Sequence, residues 1–387
     1  MDCFCPRHLP MPEPVAFVSC GQSHVLAVTR TNGALFTWGS GFHGNLGHGD
    51  EAHRTTPTRV EALGGKQVLR AAGGESHSLV IVSDPSGIAR VFTFGRGKEG
   101  EMGNNSTYAS RVPQPIEYFD GMQPYLVSCG NYFSVAAAWT AQSGYVVCAW
   151  GDNRHGTVGF RTESEAGAIK DGTTATSPFV LAPRIVPGTA TPGPLLALSC
   201  SNDAALCLTA EHQLHLWGQA LDCPGAEDHR DGAVELKTPA TLVDVVCGEM
   251  HVVCADSLGG CWSFGYSDFL KLGQTSNEWQ YQQPNQRHTV RDDATNSGVG
   301  GDRRGEHTAA TALPTGMQRM AIPSDGPSVV LAAGSNHTMI GVCFSGMPRK
   351  INEDETAAET PFRLITEIRS AANVKRAIPG DAEKLVV

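Results

Sequence analysis

Apolar residues in this chain come in short runs. HVLAVT (24–29), LFTWG (35–39) and similar strings are four to six residues long, rich in Val, Leu and aromatic residues, and bounded by Gly, Asn, Pro or Ser, as strands are. Several are apolar at almost every position, which suits strands covered on both faces. The pattern leaves little room for helices.

The runs repeat. A small-residue strand ending in Gly is followed, 17 to 21 residues later, by an aromatic-Gly pair: VSCGQSHVLAV with LFTWG, RAAGGESHSLVIV with VFTFG, VSCGNYFSVAA with VCAWG, LSCSNDAALCL with LHLWG, and VVCGEMHVVCA with CWSFG. The landmarks are Gly21, Gly74, Gly130, Ser201 and Gly248, then Trp38, Phe94, Trp150, Trp217 and Phe264. A period of roughly 50 residues built from short strands predicts a β-propeller with one four-stranded antiparallel sheet per repeat. Gly21 and its equivalents are expected to provide positive φ or a close backbone approach near the crowded centre.

Two further units lie toward the C-terminus. LAAGSNHTMIGV places Gly334 and His337 in register with Gly21 and His24, ETPFRLITEI matches TTPTRVEAL, and VKRAIPGDAEKLVV reads as a last unit cut off after two strands. The start of the chain, with MDCFC and PEP before Val15, supplies the positions of the missing strands. The expectation is therefore seven blades, with six as the alternative, in a ring closed by pairing residues 1–14 with 374–387. Closure removes open sheet edges. The whole of 1–387 reads as one domain, interrupted by polar inserts at 161–177 and 275–327.

Cys20-Gly21-Gln22-Ser23-His24, Trp38-Gly39, Gly44-Asn45-Leu46-Gly47 and Thr56-Pro57, echoed by Trp150-Gly151-Asp152-Asn153 with Gly156 and Gly159, resemble the regulator of chromosome condensation repeat family. The resemblance covers nearly the whole chain apart from the inserts and implies a seven-bladed propeller. Ser201 and Ala204 depart from the pattern in the fourth unit, and the sixth lacks its aromatic-Gly pair.

Composition changes this picture little. With 44 Gly, 23 Pro and 18% charged residues in 387, the chain suits turn-rich β structure and is too poor in charge for a solvated disordered polymer. A net charge of −10 argues against a nucleic-acid or anionic-membrane surface. MDCFCPRHLP does not read as a signal peptide, and no run reaches the roughly 20 apolar residues of a spanning helix. The expected location is intracellular and cytoplasmic, with the nucleus or cilium as alternatives. Cys20, Cys129, Cys200 and Cys247 share one repeat slot and read as small packing residues in a reducing compartment. Cys3, Cys5 and His8 fall short of the four ligands of a structural zinc site, so no metal and no cofactor is expected.

Motifs that look like chemistry belong to the repeat. Gly39-Ser40-Gly41 with Gly44, and Gly95-Arg96-Gly97 with Gly100, match a dinucleotide-binding spacing, but turn-forming residues follow where a helix would have to open. In Ser23-His24 and Ser76-His77, strand neighbours point to opposite faces, so the hydroxyl and imidazole of a pair cannot meet. The repeating His24, His77, His251 and His337, and the repeating aromatics, read as inner packing residues. No catalytic residue is expected.

Function is then expected in loops. Phe42, His43, Lys98, Glu99, Arg154, His155 and Phe269 follow the aromatic-Gly pairs and could line one rim, while Trp279 and Tyr281 form an aromatic pair in the second insert. Aromatic and charged side chains on rigid blades suit protein recognition. The reading is a non-enzymatic interaction scaffold with a protein partner. The family resemblance implies the alternative of a guanine-nucleotide exchange factor for a small Ran-like GTPase, and also a ciliary or cytoskeletal adaptor. Against a chromatin-docking role stands the N-terminus, where Arg7 is the one basic residue apart from His8.

Overall fold

The computed structural model describes residues 9–160, 178–219, 229–265, 317–320, 328–333 and 338–343. Each repeat folds as its own antiparallel meander. The first blade is β1 (Val15–Cys20), β2 (His24–Thr29), β3 (Leu35–Gly39) and β4 (Arg54–Arg59); the second is β5 (Gln67–Gly73), β6 (His77–Ser83), β7 (Ala89–Gly95) and β8 (Ser110–Pro115). The third comprises β9 (Gln123–Cys129), β10 (Phe133–Thr140), β11 (Gly144–Asp152) and β12 (Phe179–Ile185). The fourth comprises β13 (Leu195–Cys200), β14 (Ala204–Thr209), β15 (Leu214–Gly218) and β16 (His229–Leu236). The fifth has β17 (Leu242–Cys247), β18 (His251–Asp256), β19 (Cys261–Gly265) and the short β20 (Gln318–Arg319), and β21 (Ser328–Ala333) pairs with β22 (Thr338–Cys343) as a further two-stranded sheet.

The protein is an all-β propeller with four-stranded antiparallel blades, but the count differs from the expectation of seven or six. Five complete blades and one two-stranded sheet are present among the described residues. The reason is where the description ends, since ETPFRLITEI and VKRAIPGDAEKLVV lie outside it, as do residues 1–8 and the 161–177 insert. Closure by 1–14 with 374–387 therefore falls mostly outside the described residues. Residues 9–14 carry no strand, and the Pro14 carbonyl instead accepts from Arg30 N at 2.8 Å. Gln318–Arg319, within the 275–327 stretch, pair with Ser263 and Trp262 and so complete the fifth blade.

Burial explains the composition of the strands. The first strand of each blade touches the first strand of the next, so neighbouring sheets stack face to face. The second strands are thereby covered on both sides: β14 is buried at every position and β6 at all but the last. Outer strands are polar and carry Pro57, Pro113, Pro115 and Pro183, which blunt an exposed edge by withholding an amide donor.

The aromatic-Gly pair has a specific job. The pairing of the third strand with the fourth skips one residue between Thr37 and Gly39, Thr93 and Gly95, Ala149 and Gly151, and Leu216 and Gly218. On the third strand the skipped residues are Trp38, Phe94, Trp150 and Trp217, while the fourth strand leaves three or four residues unpaired opposite each, so the extra residues lie on the fourth strand. The irregularity lies opposite an aromatic, and Phe94, Trp150 and Trp217 pack on the preceding blade. The glycine takes the positive φ this needs: Gly39, Gly95, Gly151, Gly218 and Gly265 lie between +95° and +111°. No positive φ occurs at Gly21, Gly74 or Gly130. At Gly21 the requirement is close approach, since a Cβ there would lie 2.5 Å from the Gly74 carbonyl.

The loop between third and fourth strands receives the next blade. Gly44-Asn45-Leu46-Gly47, Gly100-Glu101-Met102-Gly103 and Gly156-Thr157-Val158-Gly159 each place both glycines at positive φ. Trp150 Nε1 donates to the Glu101 carbonyl at 2.9 Å, and Trp217 Nε1 to the Thr157 carbonyl at 3.1 Å. A Cβ on Gly103 would stand 2.6 Å from Trp150 Nε1, so only glycine lets the indole lie against this backbone. Trp150, Trp217, Phe94 and Phe264 are fully buried, whereas Trp38 is only partly buried. No complete blade precedes the first among the described residues, so none of the described loops covers Trp38 as those loops cover Phe94, Trp150 and Trp217.

Candidate functional site

A four-stranded meander puts its first and third turns on one face and its second turn on the other. In this propeller the turns between first and second strands and the loops between third and fourth strands therefore share a face, which holds Phe42, His43, Lys98, Glu99, Arg154 and His155.

Around the centre of that face, the turns hold Gln22, Glu75, Asn131, Asn202 and Glu249 in one repeat slot. Their backbones are tied in sequence: Gln22 N donates to Gly74 O at 3.0 Å, Glu75 N to Asn131 O at 3.4 Å, Asn131 N to Asn202 O at 3.3 Å and Asn202 N to Glu249 O at 3.3 Å. Ser201 preserves the glycine turn, since Ser201 N reaches the Ala204 carbonyl at 2.9 Å just as Gly21 N reaches that of His24. The fourth blade is thus regular despite its departures.

Further out, the loops differ in what they offer. Phe42 is 59% exposed, its ring edge-on to His53 at 4.9 Å. His43 beside it is exposed at φ 60°, and Lys98 is exposed on the second blade. Glu99 is instead buried, 2.6 Å from Arg96. Arg96 also lies 3.7 Å from Glu101 and stacks over the Tyr132 ring at 4.6 Å. Burial pushes the Glu101 carboxyl up to about 7, opposed by the Arg96 charge. Tyr132 is raised to about 12 by its hydrogen bond to Glu75 and by burial. Arg154 is exposed but chelated by Asp152, with Nε 2.8 and 3.0 Å from its two carboxylate oxygens, and lies 5.9 Å from the Phe179 ring. Asp203 is raised by burial and by Asp152, against the pull of His155 and Arg154. His155 is exposed. Phe269, Trp279 and Tyr281 lie outside the described residues.

Phe42, His43, Lys98, Arg154 and His155 are therefore presented to solvent on one face, and Glu99 serves inside the blade. Sequence reasoning did not single out Arg96, Glu101, Tyr132 and Asp203, which join the second, third and fourth blades. A usable signal existed in the slot just after the repeat glycine, polar in five units running.

The imidazoles have no substrate to meet. His24 Nε2 is 2.8 Å from Ser78 Oγ and His77 Nε2 is 2.9 Å from Ser134 Oγ, each serine belonging to the next blade. Those hydroxyls donate in turn to the Asn45 carbonyl at 2.9 Å and the Glu101 carbonyl at 3.0 Å. With the hydroxyl proton committed, the imidazole must donate from Nε2, which sets its tautomer. Both pairs are buried between blades. The thiols are equally inert, burial pushing Cys247 up to about 12 and Cys129 and Cys200 upward as well.

Repeated blades, buried aromatics and glycine loops that seat the neighbouring blade define a repeat-built propeller with its variable chemistry on one face. Models of the Regulator of chromosome condensation (RCC1) repeat match residues 15–45, 32–81 and 89–137. Residues 15–81 and 89–137 are therefore RCC1 repeats. It is 26% identical over 267 residues to the Ultraviolet-B receptor UVR8 of Arabidopsis thaliana, covering 68% of this chain and 56% of that protein. It is 27% identical over 270 residues to the human E3 ubiquitin-protein ligase HERC2, covering 68% of this chain but 5% of that protein. The chain thus spans about half of the one and a small part of the other. Among solved structures, yeast RCC1 (Prp20) bound to Kap60 matches with a TM-score of 0.59 at 18% identity, over 84% of this chain and 67% of the matched one.

Proposed function

We propose that this protein is a non-enzymatic docking scaffold, and that a protein partner is recognised on the face carrying Phe42, His43, Lys98 and His155. The observation behind this reading is the exposure of an aromatic, a lysine and two histidines on one face of blades that stack against one another. Loop side chains on such a frame contribute to recognition more than to core packing. The match to a small part of HERC2 suits a propeller serving as a binding module. The reading extends to seven units, the last shared between residues 374–387 and the chain start.

The test compares two faces. Phe42→Ala with Lys98→Glu should weaken recovery of a partner by affinity purification, while Leu258→Ser should leave it unchanged, because Leu258 is 91% exposed on the opposite face. Arg154 is left intact because reversing it would disrupt its pairing with Asp152. Equal recovery by both variants moves the site off this face. Acceleration of nucleotide release from a small Ran-like GTPase, at catalytic amounts of protein, would replace the scaffold reading with the exchange factor. An exchange factor needs only to favour the nucleotide-free state and requires no acid-base group.

A further inference from the structure

His24 and His77 bond across blade boundaries and are almost wholly buried. Their other ring nitrogens, Nδ1, are buried and have no hydrogen-bond partner. A proton added there would create a buried charged donor, with the Phe133 backbone beside His77 as the one group that favours it. The same slot is Phe133 in the third blade and Ala204 in the fourth, and the residues matching Ser78 and Ser134 are Ala205 and Val252. Phe133 and Ala205 share one apolar cluster, and Ala204 and Val252 share another. The first two interfaces are thus latched by imidazoles and the next two by carbon.

We propose that the first three blades form an acid-sensitive clasp, in which unlatching exposes His24 and His77 to protons they cannot accept while latched, and that the boundaries between the third and fourth blades and between the fourth and fifth lack this response.

The surroundings of the two rings favour the neutral form. His24 faces Ser78, the Gly74 carbonyl and His77. His77 faces Ser134, His24 and Arg96, the last paired with Glu99 and Glu101, and the Phe133 backbone, which alone works the other way. Burial is the main cause in both, taking His24 down to about 4 and His77 to about 3. With folded values below the ordinary 6.5, the latched state keeps its full advantage above pH 6.5 and loses it as pH falls toward those values. The unlatched state gains two protons over that window.

Hydrogen exchange by mass spectrometry on the whole chain tests this, with rates corrected for intrinsic pH dependence. Between about pH 7 and about pH 4.5, exchange in β2 and β6 should rise about tenfold or more relative to β14. The variant His24→Phe, Ser78→Ala, His77→Phe and Ser134→Ala copies the Phe133–Ala205 pairing and should abolish the difference. A uniform response across blades, no response in the wild type, or a response that survives in the variant overturns the proposal. Should that variant fail to fold, the wild-type imidazole resonances decide. Two rings that stay neutral to below about pH 5 and then titrate with the exchange support the clasp; if no buried ring resists protonation near 6.5, the clasp is ruled out.

Discussion

The boundary between the first and second blades and the boundary between the fourth and fifth solve one packing problem in different chemistry. At the first, His24 reaches Ser78, and Ser78 reaches the Asn45 carbonyl. At the second, Ala204 and Val252 meet within an apolar cluster together with Phe264. Backbone placement is similar, since at both boundaries the inner turns are joined by a backbone hydrogen bond, Gln22 N to Gly74 O and Asn202 N to Glu249 O. The difference shows that the repeat prescribes where a side chain goes and not how it must bond. A buried polar latch restricts partners by geometry, because an imidazole or hydroxyl left unmatched is costly. An apolar contact tolerates more substitution and ignores pH.

The largest expected effect comes from removing an aromatic that a neighbouring loop covers. Trp150→Ala should lower stability by about 3–5 kcal/mol in urea denaturation, the range for large buried aromatics, and Trp38→Ala by distinctly less. Equal losses would show that Trp38 is covered as completely as Trp150, by a blade closing the ring. Next comes Gly103→Ala, which combines a φ of +66° with a clash against the Trp150 indole and should cost about 2 kcal/mol or more. A loss well under that would mean that the loop yields without disturbing the indole.

A smaller and two-sided effect concerns pH. Glu101 is raised to about 7, so the folded state holds a proton that the unfolded chain releases above about 4.5, and this favours folding as pH falls across that window. The two imidazoles act with the opposite sign below 6.5. For these three groups together the net is one proton taken up on unfolding between those limits, a loss of about 1.4 kcal/mol per pH unit. Glu101→Gln should steepen the decline, and stability measured at several pH values will show whether it does. The smallest effect is expected on the rim, where Phe42→Ala with Lys98→Glu should shift stability by only about 0.5 kcal/mol, as exposed substitutions do. A larger shift would mean that these side chains are part of the blades.

The propeller itself was legible in the sequence because its information is local and repeated. Short apolar runs between turn formers give strands, their near-continuous apolarity says both faces are covered, and the aromatic-Gly pair recurs at one place in each unit. The rim residues could also be assigned to one face, since a meander fixes which turns share a side. What only the tertiary structure decided lies between blades, where residues about fifty positions apart come into contact. It set the aromatic-Gly pair opposite a bulged fourth strand with its ring against another blade, placed the positive φ at Gly39 and not at Gly21, and drew Glu99 off the rim into a pair with Arg96. It also gave His24 its partner in Ser78, which strand alternation could deny to Ser23 but could not name. Local pattern carries each residue's conformation and face; the identity of its neighbour depends on how one blade is rotated and seated against the next, and that is set by packing across the whole ring.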